Sequence, residues 1–78
     1  MTIKEFSMKY EIPYSLAWQA SYDVKPAETI RRNKDFSEKD LYRSVMHLLS
    51  QRALEKSRQA GEIMAQRNRI RYIYVNRT

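Results

Sequence analysis

Pro13 constrains this chain more than any other single residue. Proline has no amide to donate and excludes helical angles from the residue before it, so no helix can run through Glu11-Ile12-Pro13. The segment ahead of it opens Thr2-Ile3-Lys4-Glu5, in which a threonine hydroxyl can accept from the amide three residues on while Glu5 reaches back. That is a helix start, and Ile3, Phe6 and Tyr10 then follow at spacings of three and four on one face. Pro13 itself suits the first turn of a second helix, running from Tyr14 to about Tyr22. Leu16, Ala17 and Ala20 share one side of it, with Tyr14, Ser15, Trp18 and Gln19 on the other. The sequence therefore predicts two short helices with a tight turn between them.

Residues 22–36 lack helical periodicity and contain Pro26. Two short strands, 22–25 and 29–32, joined by Pro26-Ala27-Glu28, predict a hairpin. A third helix starts at Glu38: Ser37 is a strong N-cap, Glu38 and Asp40 are acids in the first turn, and Phe36 and Leu41 sit where a hydrophobic staple closes. Its expected buried stripe is Leu41, Val45, Leu48, Leu49 and Leu54. Propensity stays helical through Ala65, as one long rod or with a bend at Gly61, and Ala60, Ile63 and Met64 resume an apolar face. Residues 70–75, Ile-Arg-Tyr-Ile-Tyr-Val, are β-branched or aromatic at nearly every position and predict a strand. A lone strand needs a partner, either the hairpin or the same strand of a second copy.

With 78 residues, no cysteine and one histidine, thiolate chemistry and the common zinc motifs have no ligands, and no phosphate loop or catalytic triad is present. The expectation is a single domain without catalysis, cofactor or metal. No apolar run is long enough for a membrane span, and Met1 to Glu5 lacks the regions of a signal peptide, so a cytoplasmic location is expected. The net charge of +6 is unevenly placed. Residues 1–42 hold seven basic and seven acidic groups, whereas from Arg43 onward eight basic residues face only Glu55 and Glu62. A balance of that kind favours a polyanionic partner.

The span from Thr2 to Trp18, with Thr2, Glu5 and Ser7 in the first helix, resembles the opening of MerR-like and phage excisionase domains, and Asp35-Phe36-Ser37-Glu38-Lys39-Asp40-Leu41 is similar to the start of their post-wing helix. The turn carries Tyr10-Glu11 where those families usually have glycine. The resemblance covers residues 2–49 and implies a mainly α fold with a small β element (α+β): a winged helix-turn-helix, here followed over residues 50–78 by a helical extension and a C-terminal β-strand. It further implies binding of double-stranded DNA, with the second helix in the major groove, as an excisionase (recombination directionality factor) or small transcription regulator of a phage or mobile element.

The residues can support that role. Gln19 can pair with adenine, Tyr14 and Ser15 can donate to phosphate, and Trp18 either touches DNA or a partner or is partly buried against the third helix or wing. Arg31, Arg32 and Lys34 are placed to meet phosphate beside the hairpin, or else form a solvated run with Glu28, Asp35 and Glu38. On a strand, Arg69 and Arg71 share one face, opposite Tyr72 and Tyr74, which suits either nucleic acid or a core or dimer strand. Other partners expected are an integrase or other protein, and a second copy forming a homodimer. The alternative function is a small protein-interaction module or phage inhibitor that pairs through its C-terminal strand. RNA binding through the tail ranks below both. Deletion after Gln66 is expected to leave the first three helices folded.

Overall fold

The computed structural model describes residues 1–24 and 34–77. Among them 85% are helical and none forms a strand. Four α-helices follow in order: α1 (Ile3–Tyr10), α2 (Tyr14–Val24), α3 (Glu38–Glu55) and α4 (Ala60–Arg77), with a single 3-10 turn, Ser57–Gln59, between the last two.

The starts of α1, α2 and α3 lie where the sequence places them, but the helix expected to continue through Ala65 ends at Glu55, and α4 begins at Ala60, ahead of Gly61. Thr2 Oγ1 accepts from the Glu5 amide while Glu5 accepts from the Thr2 amide, a complete capping box. Ser37 caps α3 through the Asp40 amide at 3.3 Å, and the staple residues Phe36 and Leu41 are both buried. The turn after α1 needs one left-handed residue. Glu11 supplies it at φ 54°, ψ 48°, a conformation glycine adopts at less cost.

Helix α3 is central, and two contacts set its neighbours. Ser44 Oγ donates to the Ala20 carbonyl of α2 at 2.7 Å, and Arg67 of α4 donates to the Met46 carbonyl at 3.2 Å. Ser44 and Met46 are two residues apart, about 200° around a helix, so α2 and α4 flank α3 on opposite sides. Helix α1 packs on α2 and α4. Ile3, Phe6, Tyr10, Leu16, Ala17, Ala20, Phe36, Leu41, Val45, Leu49, Ile70 and Ile73 form one continuous core.

Three expectations are overturned. Residues 70–75 are helix, not strand: Ile70, Ile73 and Tyr74 recur at i, i+3 and i+4, so coiling them aligns them on one face against α3 and α1, whereas a strand would split them between two. Ile70 and Ile73 are buried, and Tyr74 stacks on Tyr42 of α3 with ring centroids 3.9 Å apart. Residues 22–24, the start of the expected hairpin, are the last turn of α2; its second strand, 29–32, lies outside the described residues. The α+β winged helix-turn-helix with a C-terminal strand is thus replaced by an all-helical arrangement of the described residues. Leu54, assigned to the buried stripe, is 85% exposed. It lies five residues beyond Leu49, about 140° away around the helix, so α3 turns it toward solvent.

Glu38 ties α3 to α1. Lys9 Nζ lies 2.7 Å from its carboxylate, and the Tyr10 hydroxyl donates to the same oxygen. Burial raises the Glu38 pKa, but the Lys9 and Tyr10 hydrogen bonds outweigh it and hold the group below its ordinary carboxylate value. Burial first, and then the Glu38 carboxylate, push the Tyr10 hydroxyl far above the usual phenol range. A carboxyl whose pKa is depressed by folding contributes stability above its unfolded value and loses it as pH falls through the folded one. Stability is therefore expected to decline below about pH 4, the range in which an unperturbed glutamate titrates. Glu38→Gln should destabilise the protein by about 1–3 kcal/mol at neutral pH and flatten that decline. Urea midpoints across pH check this; an unchanged acid slope in the variant would show that other carboxylates carry it.

Candidate nucleic-acid interface

Helix α2 is the second member of a pair joined by the three residues Glu11, Ile12 and Pro13. Pro13 accepts from the Leu16 and Ala17 amides through its carbonyl at 3.1 and 3.3 Å, satisfying the first turn. The Arg69 guanidinium donates to the Glu11 carbonyl at 2.9 Å, so α4 clamps the turn from the other side.

The inner side of α2 buries Leu16, Ala17, Ala20 and Ser21, and the outer side divides into two edges. Along one runs an aromatic stair. Tyr14 and Trp18 have centroids 5.8 Å apart, Trp18 and Tyr22 6.5 Å, and Trp18 Nε1 donates to the Tyr22 hydroxyl at 3.1 Å. The internal hydrogen bond satisfies the indole and leaves Trp18 half-buried, packed against the core rather than covered by it. Between the stair and α1 lies a groove lined by Lys4, Met8, Tyr14 and Trp18. The other edge carries Ser15 and Gln19, both exposed, and the Gln19 side-chain carbonyl accepts from the Arg52 guanidinium of α3.

Of the residues singled out from the sequence, Tyr14, Ser15, Trp18 and Gln19 come together on α2. Lys34 is exposed ahead of α3. Arg31 and Arg32 lie outside the described residues. Arg69 and Arg71 do not share a face: Arg69 is engaged with Glu11, and Arg71 points to solvent about 200° away around α4. Sequence reasoning misses Arg52. Its register follows Leu41, Val45, Leu48 and Leu49 along α3, and a charged side chain continuing an apolar stripe is the available signal.

No family model matches the chain, and no curated protein or solved structure is significantly similar to it. Among the described residues no helix is long and apolar enough to cross a membrane.

Proposed function

We propose that the chain is a sequence-specific double-stranded DNA-binding protein of phage or mobile-element type, an excisionase-like recombination directionality factor or small transcription regulator, which reads bases with α2. The observation that carries the reading is the outward edge of α2. It is the second helix of a tightly turned pair and presents Ser15 and Gln19 to solvent, with Tyr14 exposed on the other edge and the Gln19 side-chain carbonyl accepting from Arg52. Glutamine can hydrogen-bond base edges in the major groove, and hydroxyls can bond phosphate. The excess of positive charge from Arg43 onward supports a polyanionic partner.

Selection of bound sequences from random duplexes tests the proposal. A motif should be enriched at moderate salt, and Gln19→Ala should relax preference at one position by about 1–3 kcal/mol while weakening binding to unrelated duplexes little. Failure to enrich any motif would overturn it.

A second reading, binding of a protein such as an integrase, is favoured by a separate observation. Met8 is 69% exposed and lines the groove with Tyr14 and Trp18. An apolar contact there would be nearly insensitive to salt, whereas duplex binding falls steeply with it. Strand pairing through residues 70–75 has no place in this reading, because they are helical.

A further inference from the structure

The seam between α2 and α3 is electrically polar. Ser44 of α3 meets Ala20 and Asp23 of α2, whereas Arg52, two turns further along α3, meets Gln19. Along the seam an open depression is lined by Asp23 of α2 and by Asp40, Arg43, His47 and Gln51 of α3. Past Arg52, α3 leads to the α3–α4 turn. There the Lys56 amide donates to the Arg52 carbonyl at 2.8 Å, and Lys56, Ser57 and Arg58 line a small concavity with Glu55. Lys56 and Arg58 are both exposed. Lys56 follows Arg52 by four residues, and Arg52 bonds Gln19, so the turn begins one helical turn along α3 from the Gln19 edge of α2.

We infer that Lys56 and Arg58 contact the backbone phosphates flanking the base-reading edge of α2. The inference rests on the duplex-binding reading and adds to it a surface outside α2. Charge complementarity selects the occupant: at the turn Arg52, Lys56 and Arg58 outnumber Glu55, whereas at the depression Lys39 and Arg43 are offset by Asp23 and Asp40. Arg52, bonded to Gln19, then lies between the base-reading edge and the phosphate contacts.

The test is the salt dependence of binding to a duplex carrying the selected motif and to a random duplex. Lys56→Gln combined with Arg58→Gln should lower the log–log salt slope by about 1.8, two phosphate contacts at about 0.9 each, without altering the selected motif. Lys39→Gln with Arg43→Gln, which removes the same charge from the opposite end of α3, should leave the slope unchanged. Thermal melts of both variants confirm that they fold. An unchanged slope in the Lys56/Arg58 variant, or an equal drop in the Lys39/Arg43 variant, overturns the inference. A wild-type protein that enriches no motif, but whose slope still depends on Lys56 and Arg58, would overturn base reading by α2 and leave this contact standing. Absence of binding to any duplex at low salt would overturn both.

Discussion

Ile70→Ala and Ile73→Ala are each expected to destabilise the protein by about 2–5 kcal/mol, and Tyr72→Ala by less than about 0.5 kcal/mol. Ile70 is fully buried and Ile73 nearly so, while Tyr72 is 68% exposed on the opposite side of α4. A chain of this size has a total stability on the order of 4–12 kcal/mol, so either isoleucine variant should lose a large part of it. The pattern across the three positions is diagnostic. On a strand Ile70 and Tyr72 would share a face and respond alike; on a helix Ile70 and Ile73 do. Chemical denaturation of the three variants decides, and a Tyr72 cost equal to that of Ile70 would rule out α4 as described.

Deletion after Gln66 should abolish cooperative unfolding altogether. The sequence alone suggests that the first three helices survive it, because the tail reads as a strand added at the edge. In the structure the deletion removes Ile70 and Ile73 from the core, the Tyr74 ring from Tyr42, and the Arg69 bond from the α1–α2 turn. α1 and α3 would then each expose an apolar face, and helices of 8 to 18 residues are marginal in water without tertiary packing. Far-ultraviolet circular dichroism of the truncated chain should show reduced helicity and a broad, non-cooperative melt. A sharp thermal transition in the truncated protein would refute the role given to α4.

The removal of the strand also changes the case for self-association. A strand requires a hydrogen-bond partner and so argues for a second copy; a helix satisfies its own backbone. Ile63 is half-buried against the core, while Met64, Tyr72 and Val75 of α4 are exposed.

Local chemistry was legible wherever one residue's backbone demand decides the outcome. Pro13 ends one helix and opens the next, Thr2 with Glu5 and Ser37 with Asp40 satisfy orphan amides within four residues, and Ile3, Phe6 and Tyr10 align at helical spacing. These signals need no knowledge of the rest of the chain. They placed α1, the start of α2 and the start of α3, and with them the four α2 residues of the candidate interface. What only the tertiary structure decided is the form of residues 70–75 and the state of the arginines. β-branched and aromatic side chains favour a strand by less than about 1 kcal/mol, whereas burying two isoleucines and a tyrosine against α1 and α3 is worth several. That greater stabilisation comes from contacts more than twenty residues away, such as those between Tyr74 and Tyr42 and between Arg67 and Met46, so no local window contains it. For the same reason Arg69, read as a free cation beside Arg71, is held by the Glu11 carbonyl 58 residues earlier, and Arg52, a polar break in an apolar stripe, orients Gln19.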